Sequence, residues 1–182
     1  MSLTSCRRFI NRAKRENIKI KINQDYEKFI EVNSSFRKKK GLNPSEKIET
    51  MKRYGTLFSA EIDGEFLSGI FYLEDKNNIR GWFGASKRFE TDKEKQKLIG
   101  DANRLIHWEA IKYSKTKKIK QFDWGGYYTG KIRDEQRERI NNFKTSFGGK
   151  IITQYIYQKD YSNIYKIAMK LYKLKEEVLN KL

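Results

Sequence analysis

This 182-residue chain predicts an α/β (α+β) fold: a mixed, mostly antiparallel sheet flanked by helices, with an amphipathic helix at the C-terminal end. Three observations predict it. Asp63-Gly64 and Asp75-Lys76-Asn77-Asn78 separate three runs rich in β-branched and aromatic residues, TLFSAEI, FLSGIFYLE and IRGWFGAS, which reads as a meander of two hairpins. A helical pattern follows in which Ala102, Leu105, Ile106, Ala110 and Tyr113 share one face. A strand at 119–124 comes next, so the crossover from 79–86 through this helix makes the two strands parallel neighbours.

The remaining elements follow in chain order. RRFINRAKR at 7–15 reads as a basic helix, and IKIKI at 18–22 alternates apolar and cationic residues as an edge strand does. Asn23 or Gln24 starts a helix with Tyr26, Phe29, Ile30, Asn33 and Phe36 on one side, closed at the boundary before Gly41. A second helix is expected with Asn43 as cap, Pro44 at its first position, Ile48, Met51 and Tyr54 inward and Gly55 as stop. In the central helix Leu98, Trp108 and Ile111 form a second apolar face, which predicts burial on two sides. A helix at 134–146, a strand at 150–158 and a helix from about 163 with Ile164, Ile167, Ala168, Leu171, Leu174 and Val178 in one stripe complete the pattern. Residues 1–182 are expected to form a single domain, with a core at about 7–160 and the C-terminal helix at 163–182.

Composition narrows the chemistry. Eleven Phe, 11 Tyr and 3 Trp supply bulky core material for a chain that is 37% hydrophobic. One histidine and one cysteine leave little for a zinc site or a catalytic triad, so no metal is expected. No apolar run is long enough for a spanning helix, and Met1 to Ile10 lacks a signal-peptide core, which predicts a soluble, cytoplasmic protein. Forty Lys and Arg against 23 Asp and Glu give a net charge of +17. Such a balance reads either as solvated, lysine-rich faces or as a surface for polyanionic partners: CoA, nucleotide-sugar, tRNA or, peripherally, anionic lipid.

Local chemistry concentrates at 119–149. A glycine pair, Gly125-Gly126, directly follows a predicted strand and allows close approach of backbone to ligand; a second pair, Gly148-Gly149, follows a helix. Asp123 ends the strand, where a charged group needs a partner, and either handles an amine or caps backbone N–H groups. Tyr127 and Tyr128 follow on a loop where a phenol can protonate a leaving group or pack over the sheet edge. His107, amid Leu105, Ile106, Trp108 and Ile111, reads as structural, as do Glu109, Phe143 and Phe147.

Four segments together resemble the Fem-type branch of the GNAT acyltransferase superfamily. They are Asn11 to Arg15, similar to a basic N-R-A-x-[KR] segment; Leu105 to Ile111, similar to L-[LI]-x-W-x-A-I; Phe122 to Gly126, similar to a strand ending in D-x-G-G; and Phe143 to Gly149, similar to F-K-x-x-F-G-G. The chain has room for one GNAT-like half and resembles the C-terminal one. The resemblance implies an N-acyltransferase with acyl-CoA (acetyl-CoA) as donor and a primary amine of an amino sugar or cell-envelope precursor as acceptor. Aminoacyl-tRNA is the alternative donor, and a non-catalytic nucleic-acid- or partner-binding module on the same fold is the alternative class; monomer and dimer are both open. It implies that Lys144 stabilises charge during transfer, assisted by Asp123, Tyr127 and Tyr128. Arg8, Arg12 and Trp124 would contact substrate. Gly125, Gly126 and Lys97, Ile99, Gly100 and Ala102 would hold the donor, the last four as a loose version of the GNAT diphosphate signature placed before the central helix, where backbone N–H groups are free.

Overall fold

The computed structural model describes residues 3–39, 41, 47–130, 132–155, 157, 159 and 162–179. The chain divides into two compact units, Met1–Gly149 and Lys150–Leu182. The first unit contains helix α1 (Leu3–Arg15), strand β1 (Lys19–Ile22), helices α2 (Tyr26–Lys39) and α3 (Ile48–Tyr54), strands β2 (Gly55–Ile62), β3 (Glu65–Glu74) and β4 (Asn78–Ser86), the long helix α4 (Lys93–Thr116), strand β5 (Gln121–Asp123) and helix α5 (Glu135–Thr145). The second contains helix α6 (Asn163–Leu179).

The sheet runs β1-β2-β3-β4-β5. Its first four strands are antiparallel, and β5 pairs parallel with β4, as the crossover predicts. The Asp63-Gly64 turn takes positive φ at both residues (48° and 79°), the geometry whose twist suits a two-residue hairpin. In the next hairpin Asp75 Oδ1 accepts the N–H groups of Asn77 and Asn78 at 2.7 and 2.8 Å. Those donors hold its carboxyl below the usual range.

Alternate side chains of the central strands enter two cores. On one face Phe58, Leu67, Tyr72 and Ile79 meet Ile10 and Ala13 of α1 and Ile99, Ala102, Leu105, Ile106 and Ala110 of α4. On the other, Leu57, Phe66 and Phe71 meet Tyr26 and Phe29 of α2 and Met51 of α3. Because both faces are covered, β2 is buried along nearly its whole length, Thr56, Ser59 and Glu61 included, rather than half-wet.

Several expectations need correction. Residues 151–155, 157 and 159 belong to no strand, and Ile151, Ile152, Tyr155 and Tyr157 are exposed. The apolar spacing there suits a strand, but strand character depends on pairing, which spacing alone does not encode. The expected cap Asn43 and Pro44 lie outside the described residues. Tyr54 points outward, half exposed, and Trp108 is also exposed, so the second face of α4 is only partly covered. Among the described residues no helix is long and apolar enough to cross a membrane.

Candidate functional site

The candidate site lies where β4 and β5 part. Their pairing stops after Asn78↔Gln121, Ile79↔Phe122 and Arg80↔Asp123. Immediately beyond, the β3–β4 register slips: Tyr72 faces Gly81 and Phe71 faces Phe83, so Trp82 is an extra residue without an opposite number. Such a bulge bends and twists its strand. From Gly81 onward, β4 leaves β5, and its edge on that side has no strand partner among the described residues.

Around this opening the sequence-predicted residues converge. Gly125 adopts a left-handed φ of +73°, and an added Cβ would sit 3.7 Å from an Arg80 guanidinium nitrogen. Asp123 accepts the Gly125 N–H at 2.7 Å through one carboxylate oxygen, and its other oxygen lies 3.7 Å from Arg80 Nε. The capping arrangement is thus the one observed for this carboxylate. Lys144 on α5 reaches across to donate to the Gly126 carbonyl at 2.6 Å. Partial burial lowers its pKa, with Arg80 pushing the same way and Asp123 opposing.

The loop carrying the glycines is fixed by a residue that sequence reasoning missed. Asn141 is buried on α5; its Oδ1 accepts the Tyr128 N–H at 3.0 Å and its Nδ2 donates to the Tyr128 carbonyl at 2.8 Å. An asparagine inside a helix, where its propensity is poor, was the available signal. The Tyr128 hydroxyl donates to the Ile132 carbonyl at 2.5 Å, and Arg137 stacks over its ring, so this phenol is engaged within its own loop. Tyr127 is exposed.

Beneath the loop lies an aromatic cluster. The Trp124 ring packs 4.7 Å from His107, 4.8 Å from Phe147 and 5.1 Å from Phe122. Phe143 stacks on His107 at 5.4 Å. His107 Nδ1 is 2.6 Å from the Tyr72 hydroxyl. Desolvation, and then the charges of Lys144 and Arg104, lowers the His107 pKa to about 3, while burial raises that of Tyr72 well above its ordinary value. Both groups are therefore neutral near pH 7, and one proton joins them.

Two predicted subsites fall elsewhere. Lys97, Ile99, Gly100 and Ala102 do not precede the central helix but lie inside it, with Ile99 and Ala102 wholly buried. The helix starts earlier because Asp92 caps it: its carboxylate accepts the Glu94 and Lys95 N–H groups at 2.8 Å, and the Gln96 N–H reaches the Asp92 carbonyl at 2.9 Å. From Lys97 onward the N–H groups are spent on helical bonds. The cleft beside this end, about 500 Å³, is lined by Glu16, Glu65, Asp92, Glu94 and Asp101 as well as Arg12, Lys95 and Lys97. Arg12 is also redirected. Its guanidinium pairs with the buried Asp101, which raises the Arg12 pKa, and so ties α1 to α4; Arg8 is exposed on α1. Arg104 of α4 lies over the rings of Phe9 and Phe143 at 4.5 and 5.2 Å, linking α1 to α5. Among the described residues no group of His, Cys, Asp and Glu is placed to hold a metal ion.

No protein-family model matches the chain, and no curated protein sequence matches it. Solved structures do. The C-terminal DUF2156 domain of a putative lysylphosphatidylglycerol synthetase from Agrobacterium fabrum superposes with a TM-score of 0.58 at 8% identity, over 81% of this chain and 51% of that one. The fold matches GNAT-like acetyltransferase folds, as two further structures show. A possible acetyltransferase from Clostridium difficile 630 matches with a TM-score of 0.52 at 13% identity, over 79% of this chain and 99% of that one. An aminoglycoside acetyltransferase from an uncultured soil metagenomic sample, in complex with trehalose, gives 0.51 at 14%, over 79% and 97%. The chain thus spans about half the length of the first of these structures. In this GNAT-like fold the parting of β4 from β5 is the feature around which Arg80, Asp123, Gly125, Gly126 and Lys144 assemble.

Proposed function

We propose that this chain is an N-acyltransferase that moves an acyl group from a CoA thioester to a primary amine by direct attack. The observation that carries the reading is the bulged, unpartnered β4 edge opening beside Lys144. A strand edge with free amide groups suits an extended, amide-containing donor arm, which adds to it as another strand would. In the reaction the neutral amine attacks the acyl carbonyl, the C–N bond forms and the C–S bond breaks. The amine then gives up a proton and the thiolate takes one. The Lys144 ammonium, held at the loop, faces the charge that develops on the carbonyl oxygen or leaving sulfur. Asp123 and Gly125 hold the loop that presents it.

The proposed acceptor is an amino sugar or an amine-bearing cell-envelope precursor; the carboxylates Glu16 and Glu94 beside the α4 N-terminus supply matching charge, while Glu65 is paired with Lys95. Aminoacyl-tRNA is the alternative donor, and the net charge of +17 suits the many phosphates it carries. Asp92 and Glu94 occupy the helix end where a CoA diphosphate would otherwise bind, and their charge opposes it. Thermal shift separates these readings: stabilisation by acetyl-CoA and free CoA supports the first, stabilisation by charged tRNA alone the second. Stabilisation by neither overturns both and leaves a non-catalytic module on the same fold. Lys144→Ala is expected to lower turnover at least about tenfold; unchanged turnover returns that lysine to a purely structural role.

A further inference from the structure

The end of the sheet opposite the α4 N-terminus carries an unbalanced cationic surface. Lys52 and Arg53 come from the last turn of α3, Lys76 from the β3–β4 hairpin, and Lys117, Lys118 and Lys120 from the α4–β5 turn. Sequence separates these groups, but the fold gathers them. Lys52, Arg53, Lys76 and Lys117 line one open cleft of about 410 Å³, and the N–H groups of Lys120 and Gln121 donate to the Asn77 carbonyl at 2.9 and 3.0 Å, which docks the turn onto the hairpin. All six side chains are exposed.

Two carboxylates share the cleft, and both are committed within the fold. Glu74 accepts the hydroxyls of Thr56 at 2.5 Å and Tyr113 at 3.2 Å, and Asp75 accepts the hairpin amides. Among the described residues none of these cations pairs with a carboxylate; Lys52 lies over the Tyr26 ring, Arg53 over Tyr54 and Lys117 over Tyr113. The carbonyl dipoles at the end of α4 account for lysines in its last turn. They do not account for Lys52, Arg53 and Lys76, which belong to other elements. Tyr54 adds an exposed aromatic face beside Arg53.

We infer that this end of the molecule binds the backbone of a single-stranded polynucleotide, its phosphates on the lysines and a base stacked on Tyr54. Convergent cations with an aromatic among them are the parts that such recognition uses. A bilayer surface fits less well, because among the described residues of Met1–Gly149 the large apolar side chain exposed here is a tyrosine without an aliphatic stripe. The inference is independent of the acyltransferase reading, since none of these residues belongs to the β4–β5 opening.

The test measures fluorescence anisotropy of labelled oligo(U) and oligo(dT), each of about 15 nucleotides, with the full chain over a range of KCl concentrations. The variant Lys76→Gln/Lys117→Gln/Lys118→Gly is compared with Arg7→Gln/Lys14→Gln/Arg15→Gln, which removes the same charge from exposed positions of α1. The first variant is expected to bind at least about tenfold more weakly at moderate salt, with a shallower salt dependence, and the second less than about threefold more weakly. Tyr54→Ala is expected to cost about fivefold or more. Loss confined to oligo(U) identifies RNA, and loss of both oligomers identifies the shared phosphate backbone; either supports the inference. Equal losses in the two charge variants overturn it in favour of net charge alone. Retained oligonucleotide binding, with loss of sedimentation on phosphatidylglycerol-containing vesicles, overturns it in favour of a membrane surface. Lys118 has a φ of +58°, so glycine there removes a cation without straining the backbone, and weakened binding by that variant alone is not a folding defect.

Discussion

The two ends of α4 meet opposite surroundings. At its N-terminus the orphan N–H groups are satisfied by the helix's own Asp92, whose pKa those N–H groups lower, and Glu94, Glu65 and Glu16 crowd the adjacent cleft. At its C-terminus Lys117 shares a cleft with Lys76, Lys52 and Arg53, with both nearby carboxylates already bonded. Charge at a helix end is therefore not by itself a ligand site. At the first end it is consumed by the fold, and at the second it exceeds what the dipole requires. Between the ends, the middle of the helix carries His107 packed against the rings of Trp124, Phe143 and Phe147, where desolvation disfavours the imidazolium.

The largest expected effect breaks the contrast at that middle. His107 titrates at about 3 in the folded chain against about 6.5 unfolded, so above pH 6.5 both states are neutral there and the group contributes its full stability. As pH falls from 6.5 toward 3 the unfolded state binds the proton and the folded state does not. Stability should then fall by about 1.4 kcal/mol per pH unit from this group alone. Urea denaturation at several pH values, with His107→Gln alongside, checks it: the difference between the two proteins should shrink as pH falls through this window. A constant difference would mean that the imidazole takes up protons freely and is not enclosed.

Next in size is the pairing of Arg12 with Asp101. Asp101 is buried but Arg12 is partly exposed, so its loss leaves a carboxylate that water can reach in part, and Arg12→Ala should cost about 1–2 kcal/mol, read as a lower denaturant midpoint. Arg12→Ala with unchanged stability but lower turnover would restore this arginine to the substrate-contacting role that the sequence suggested.

These residues show what the sequence could and could not reveal. The hairpins were legible because Asp63-Gly64 must take positive φ, and the parallel crossover because only one handed path joins β4 to β5 through a long helix. The glycine pairs were half legible: Gly125 and Gly148 do adopt left-handed φ, whereas Gly126 and Gly149 have open space where a Cβ would stand. The partner of Arg12 lies 89 residues away, and periodicity carries no information about such a contact. The start of α4 was misread for a local reason. Asp92 is a cap by residue type, but the polar run Lys93 to Lys97 hid the helix behind an absence of apolar periodicity.

The Asp92 cap allows a sharper test of the acidic end. Asp92→Ala should cost about 1 kcal/mol by exposing two amides, and Asp92→Asn a few tenths, because the amide oxygen still caps. If donor phosphates bypass this end, as its carboxylates suggest, the affinity for acetyl-CoA should be the same in Asp92→Asn and in the unaltered chain. A several-fold gain in affinity, measured by calorimetry, would show that the diphosphate does reach the helix N-terminus and that Asp92 merely weakens it.

The smallest effect comes at the cationic end. Lys118 sits in the left-handed region, where a side chain with a Cβ costs about 1 kcal/mol relative to glycine. Glycine also raises the entropy of the unfolded chain, which returns part of that gain. Lys118→Gly should therefore raise the unfolding free energy by up to about 1 kcal/mol while removing one of the cations gathered there. A residue kept in a strained conformation with an unpaired charge serves folding poorly. If the variant is more stable yet binds oligonucleotide less well, the surplus charge at this end is there for a ligand; if it is destabilised, the strain is compensated by contacts within the fold, and the contrast between the two ends narrows.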